Sequence, residues 1–159
     1  MYRFKLVLGL IVVTLTLPTT ALAAFRPDTV TATGSSDDGK FSNVDISATG
    51  FGANWSGSAS FTSDGLDGGG SVTCVSVIGL DLGGGTWERP TTAVLNFIDT
   101  RFGVVTVKLV DRGGYGQDTI AAGAIGRSAT DCSLPLTGST VTSTLARGRA
   151  TVFDTPIVL

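Results

Sequence analysis

The sequence of 159 residues contains no histidine and only one glutamate, Glu88. Histidine is the usual general base near neutral pH, a common zinc ligand and the middle member of the Ser-His-Asp triad. These three kinds of site are therefore excluded. Charged residues make up only 15 % of the chain, below the usual ~25 %. A coiled coil and a charge-rich disordered chain are excluded on that ground.

Clusters of lysine and arginine are also missing. The formal net charge is −2, and the nearest basic pair, Arg147 and Arg149, has the two-residue spacing of one strand face. Affinity for nucleic acids comes from clustered basic side chains. The sequence therefore predicts no nucleic-acid partner.

The N-terminus has the pattern of a secretory signal peptide. Arg3 and Lys5 precede an apolar run, Leu6–Leu17, and small residues stand at Ala21 and Ala23. The apolar run is shorter than the ~20 residues that a membrane-spanning helix needs. We therefore predict cleavage after Ala23 and secretion to the extracellular space.

Residues 24–159 are predicted to form one β domain without a membrane span. Both cysteines of the chain, Cys74 and Cys132, fall in this domain. Export places them in an oxidising compartment, where an even number of cysteines usually pairs. Two cysteines without histidine do not supply a four-ligand zinc site. A structural disulfide is therefore predicted, with no metal and no cofactor.

Short runs of Val, Thr, Ile and Phe alternate with clusters of Gly and Asp, which is the pattern of strands and turns. In Asn54–Thr62 the apolar residues and the serines alternate strictly, so one face is buried and the other is wet. The nine candidate strands are Thr29–Thr33, Phe41–Thr49, Asn54–Thr62, Ser71–Ile78, Thr92–Ile98, Val104–Val110, Thr119–Ile125, Val141–Leu145 and Arg149–Phe153.

The fold class predicted from this pattern is all-β. A wet face on a strand is compatible with antiparallel sheets and not with parallel ones. Turn signals recur every ~8–12 residues, which is typical of a sandwich or a barrel. Small residues beside Trp and Phe on one face suit a curved sheet. We predict an antiparallel meander that closes into a small β-barrel, with a β-sandwich as the alternative.

Four segments of the domain share a recognisable pattern. Ser71–Gly79 contains V-T-C-x-x-V-x-G, and Val110–Asp118 contains a Gly-rich turn; Asp28–Gly34 and Asp131–Ser133 stand near the two ends. In these segments the chain resembles a group of small, uncharacterised secreted bacterial β proteins. The resemblance implies a secreted β fold and carries no known activity.

Three motifs match known sites only in part. Gly34–Lys40 reads G-x-x-x-x-G-K but lacks the following Ser or Thr and helix of a phosphate loop, so a hairpin turn is predicted. Leu134–Gly138 matches a cell-wall sorting pentapeptide without the membrane span that must follow. The Gly-rich turn at 113–120 matches one copy of a calcium repeat that normally needs stacked neighbours. A weak calcium site at Asp111 and Asp118 stays open.

Three functions are compatible with these features. The first is a secreted, non-catalytic binding or surface-interaction module, whose partner is an extracellular surface. The second is a carrier of a small apolar ligand, with Trp55, Phe61 and Trp87 lining the barrel interior. The third and least favoured is an enzyme that uses aspartates alone, because no nucleophile and base pair is recognisable. Its candidate residues are Asp45, Asp81, Asp99, Asp111 and Asp118.

Overall fold

The computed structural model describes residues 27–63, 67–78, 92–133, 135–136 and 138–153. The predicted signal peptide with its cleavage site, and also Asp81 and Trp87, lie outside these residues. The described part contains nine strands: β1 (Asp28–Ser35), β2 (Asn43–Phe51), β3 (Asn54–Thr62), β4 (Gly68–Ile78), β5 (Thr92–Asp99), β6 (Gly103–Val110), β7 (Thr119–Gly123), β8 (Val141–Thr144) and β9 (Arg147–Phe153).

All nine strands belong to one antiparallel sheet with the order β8-β7-β6-β5-β4-β3-β2-β1-β9. The chain therefore runs as a meander from β1 to β8, and β9 then pairs with β1 instead of with β8. The sheet curls strongly into a half-barrel, and β9 at one end of the order also contacts β6. The predicted all-β meander with a barrel-like shape is confirmed.

The concave side of the sheet is filled by apolar side chains. Alternate residues of each strand point inward, as the period of two requires. Phe61 lies at the centre, with its ring edge-to-face against Phe41 and Phe97 at centroid distances of 5.9 Å in both pairs. Around these rings pack fully buried aliphatic side chains, which include Val30, Ile46, Leu95, Val107, Leu109, Ile120 and Val152.

Glycine permits the sharp curl where β9 meets β1. Gly34 has a φ of +136°, and a Cβ atom there would lie 2.5 Å from the Cα of Gly148 on β9. Such a distance is far below van der Waals contact, so no larger residue fits. The two backbones approach each other closely at this point because neither residue has a side chain.

A β-bulge in β4 changes which side chains face outward. The pairing of β4 with β5 shifts between Val72, opposite Phe97, and Cys74, opposite Asn96. Val72 is buried in the core, whereas Thr73 and Cys74 both interact with a segment on the convex side. A bulge redirects side chains in this way because it adds one residue to one strand only.

Candidate functional site

The two ends of the sheet meet at a seam that strand pairing does not close. After β8 the chain crosses this seam at Leu145, whose N–H donates to the carbonyl of Asp118 at 2.8 Å. The outer edge of β9 then faces the loop between β6 and β7. The N–H of Gly116 in that loop donates to the carbonyl of Gly148 at 3.1 Å.

Two buried carboxylates complete the seam. Asp118 accepts from the N–H of Ala150 on β9 at 2.7 Å and from the N–H of Arg112 at 2.7 Å. Asp111 accepts from the N–H of Val152 on β9 at 3.3 Å and from that of Gly113 at 2.8 Å. Asp118 is 0 % and Asp111 is 4 % exposed. These carboxylates accept N–H groups at the outer edge of β9, where no further strand of the described part pairs with it.

This arrangement assigns Asp111 and Asp118 a structural role. All four of their carboxylate oxygens already accept backbone N–H groups. A calcium ion takes 6–8 oxygen ligands and prefers carboxylates. Within the described residues there is no group of three or more Cys, Asp or Glu side chains with metal-site geometry.

The edge of β8 is covered by the loop between β1 and β2. The Lys40 ammonium donates to the carbonyl of Thr142 at 3.2 Å, and the Ser143 hydroxyl donates to Asp38 at 2.6 Å. Hydrogen bonds from Ser143, Ser36 and Lys40 hold the pKa of Asp38 well below its usual range. The predicted hairpin turn at Gly34–Lys40 is confirmed, because this loop joins the paired strands β1 and β2.

Asp99 holds the turn between β5 and β6. Its carboxylate accepts from the N–H groups of Gly69, Arg101 and Phe102 at 2.9, 2.7 and 3.0 Å. These bonds, that from Gly69 foremost, lower the pKa of Asp99 below its usual value. A carboxylate that accepts three backbone N–H groups is stabilised in its charged form. Asp99 is thus a turn and edge anchor.

The convex side of β4–β6 is covered by residues 124–133, here called the outer cover. The disulfide Cys74–Cys132, with a Cα–Cα distance of 6.1 Å, fixes the outer cover to β4. The predicted disulfide is therefore confirmed. The Thr73 hydroxyl adds a hydrogen bond to the carbonyl of Ala129 at 2.6 Å.

Asn96 is the second anchor of the outer cover. Its amide nitrogen donates to the carbonyls of Asp131 at 2.9 Å and Ser128 at 3.1 Å. Its amide oxygen accepts from the Thr106 hydroxyl at 2.7 Å. Sequence reasoning missed this residue. The available signal was a single amide within the apolar run Ala93–Ile98, where a buried polar group needs partners.

Two of the three predicted ligand-lining residues lie in the described part, and Trp55 packs against the core cluster that contains Phe61. Phe61 is buried in the packed core. Trp55 is half-buried and donates its indole N–H to the carbonyl of Gly52 at 3.0 Å. Its ring packs against Gly50, where a Cβ atom would lie 2.5 Å from the indole. Trp87 lies outside the described residues.

A groove of about 220 Å³ opens on the convex side of β6, β7 and β8. Its floor lies across three directly opposed residues, Lys108, Ala121 and Thr142. Leu136 and Thr140, from the segment that returns from the outer cover to β8, form a wall. Ala121, the smallest of the three, lies in the middle of this floor.

The groove carries the positive charge of Lys108. This side chain is half-buried, and no described residue forms an ion pair or hydrogen bond with its ammonium. Lys40 is the other lysine of the described part, and it reaches the backbone of Thr142 on the same strand. Thr142 lines the groove, so both lysines lie next to one short strand.

Comparison with protein-family models, with curated proteins and with solved structures found no match for this chain. The resemblance to small secreted bacterial β proteins therefore stays a prediction. Within the described residues, no helix has the length and apolar character needed to cross a membrane.

Proposed function

We propose that this protein is exported, loses residues 1–23 and acts as a non-catalytic binding module through its outer surface. The intramolecular disulfide is compatible with an oxidising, extracellular compartment. The concave side is occupied by the core around Phe61, which leaves the convex side and the loops as the surfaces that a partner can reach.

The observation that carries the proposal is that the buried carboxylates are occupied by hydrogen bonds from backbone N–H groups. Asp99, Asp111 and Asp118 are the buried acids of the described residues. Each accepts at least two backbone N–H groups. Acid–base catalysis needs a group positioned to exchange a proton with a substrate. These three carboxylates are instead occupied in holding loops and the seam, which favours a binding role over an aspartate-based enzyme.

Native mass spectrometry of the protein collected outside its own producing cell tests the export. It also distinguishes the proposed binding module from a carrier that holds an apolar ligand in its interior. We expect a mass equal to residues 24–159 less two hydrogens, without a bound apolar molecule. An apolar adduct that is kept under native conditions and lost on denaturation would contradict the proposal. A Phe97→Ala variant serves as the positive control, because deleting a buried ring opens a cavity that admits small apolar probes such as benzene.

Photo-crosslinking in the producing cell tests the outer surface directly. A photoreactive amino acid is placed in turn at Thr142 beside the groove and at Ser58, an exposed position of β3. We expect irradiation to add a defined mass at one of these positions, with an unirradiated sample as the control. If neither position gives an adduct, the outer surface is not where the protein acts.

A further inference from the structure

The groove beside β8 is lined by both polar and apolar side chains. Lys108 and Thr142 lie on opposite sides of Ala121 and supply an ammonium and a hydroxyl. Thr119, two residues before Ala121 on β7, also lines the groove. Leu136 adds an apolar wall. Neighbouring strands lie about 4.8 Å apart, so the Cα atoms of Lys108 and Thr142, two strands apart, are separated by about 10 Å.

Among the described residues Lys108 has no ion-pair partner, whereas Lys40 has one. Asp38 lies 3.0 Å from the Lys40 ammonium and also accepts from Ser143. No described carboxylate pairs with Lys108. Removing a charge partly from water without a partner is unfavourable. An anion placed in the groove would remove that cost and form a charge-assisted hydrogen bond.

The volume limits what fits. A groove of about 220 Å³ is smaller than the ~300–1,000 Å³ that is typical of sites for drug-sized ligands. The occupant is therefore a molecule of only a few carbon atoms, or the end of a larger one.

We propose that this groove binds a small monocarboxylate with a short apolar chain, an inference that rests on the proposed outer-surface function. The carboxylate pairs with the Lys108 ammonium and accepts from the hydroxyl of Thr119 or Thr142. The apolar chain lies over Ala121 against Leu136. A dianion such as phosphate fits less well, because Lys108 is the one cation, and no arginine occurs, among the described residues that line the groove.

Titration with pentanoate, followed by NMR of the backbone amides of the disulfide-bonded protein, tests this site. We expect saturable shifts centred on Thr119, Ala121 and Thr142. Lys108→Met, which keeps the length of the side chain, should weaken binding by about tenfold or more, because a hydrogen bond to a charged group is worth at least one such step. Arg149→Gln is the matched control, since it removes a cation from the exposed face of β9 and should leave binding unchanged.

Two further probes separate the carboxylate from the chain. Pentanamide has the same shape without the charge and should bind at least about tenfold more weakly. Ala121→Val places a larger side chain on the floor of the groove. Because valine is favourable in β-strands, the fold should stay intact while the shifts are abolished. Equal binding of pentanoate and pentanamide, or of the wild type and Lys108→Met, would overturn the inference. Stronger binding of phosphate than of pentanoate would also overturn it.

The source of the carboxylate is decided by N-acetyl-leucine, which imitates the end of a peptide. Binding of pentanoate with no binding of N-acetyl-leucine supports a free small acid. Tighter binding of N-acetyl-leucine supports a peptide C-terminus with the same chemistry. If pentanoate fails while crosslinks form at Ser58, the groove inference falls and the proposed outer-surface function stands. An apolar molecule found in native mass spectra would overturn the proposed function by itself.

Discussion

Single buried polar side chains close this fold where the β ladder leaves backbone groups unpaired. A buried N–H or carbonyl without a partner is costly, so nearly all such groups are satisfied. Asp111 and Asp118 serve the edge of β9, and Asn96 serves the carbonyls of the outer cover. Aspartate beside glycine usually marks a solvated turn. Here the same residues are buried because the two ends of the curled sheet meet without a strand ladder between them.

Asp118→Asn tests this role at the seam. The substitution removes the charge and directs an NH₂ group toward the N–H of either Ala150 or Arg112. We expect the free energy of unfolding to fall by about 2–3 kcal/mol, because hydrogen bonds to a charged acceptor are worth more than neutral ones. Chemical denaturation measures this change. Asp45→Asn on the exposed face of β2 is the control and should change stability by less than about 0.5 kcal/mol.

A small change in the free energy of unfolding for both variants would contradict this role of Asp118. Equal stability of Asp118→Asn and Asp45→Asn would mean that Ala150 and Arg112 find other acceptors. The seam would then be held by Leu145 and Gly116 through their backbone bonds alone.

At the scale of elements, the sequence predicts the positions of the strands well, but it does not predict which strands pair with each other. Strict alternation places Asn54–Thr62 correctly at both ends. β4 begins at Gly68, earlier than predicted, because its first residues are glycines that resemble a turn. Alternation fixes which face a residue occupies, but β9 has the same pattern whether it pairs with β8 or with β1. The bulge at Thr73 is likewise invisible, because it depends on the partner strand.

Replacing Cys74 and Cys132 together by Ser tests the attachment of the outer cover. The bridge joins residues 58 apart in sequence, and the loop-entropy model gives about 4 kcal/mol for a loop of this size, or about 2 kcal/mol if the unfolded chain keeps residual structure. We expect the denaturation midpoint to fall accordingly. Hydrogen exchange should rise first in the outer cover, which then keeps, among the described residues, only the side-chain hydrogen bonds from Thr73 on β4 and Asn96 on β5.

An Asn96→Ala variant with the disulfide intact is the matched comparison. It leaves the carbonyls of Ser128 and Asp131 and the hydroxyl of Thr106 without this partner. Two free thiols in the native protein would contradict the bridge. Faster exchange in β1–β3 than in the outer cover would contradict the attachment of the disulfide to that segment.

At the scale of the whole molecule, both edges of the sheet are protected by loops. The loop between β1 and β2 covers β8, and the loop between β6 and β7 covers β9. Exposed strand edges are sites of unwanted pairing, so such coverage keeps a curled sheet from extending. The groove was not predictable from the sequence. Lys108, Ala121 and Thr142 are distant along the chain and become neighbours only through the registers of β6, β7 and β8.

Three hydrogen-bonded aspartates in different parts of the molecule make its stability depend on acid pH. Hydrogen bonds lower the pKa values of Asp38, Asp99 and Asp131 below the ordinary 3.8. Ser143 is the main cause for Asp38, the Gly69 N–H for Asp99, and Ser133 for Asp131. A carboxylate whose pKa is lower in the folded state binds its proton more readily when unfolded. Its stabilising contribution is therefore complete above the unfolded pKa and is lost as the pH falls through the folded pKa.

We expect the unfolding free energy attributable to these three groups to stay level between pH 7 and 5, and to decline below about pH 4. Denaturant unfolding at closely spaced pH values from 7 to 2 measures the decline. Asp99→Asn should be less stable than the wild type at pH 7 and should show a shallower decline, because one of the three linked protons is gone. The difference between the two proteins should therefore narrow as the pH falls. A constant difference down to pH 2 would show that the stability lost in Asp99→Asn does not come from the charge of Asp99.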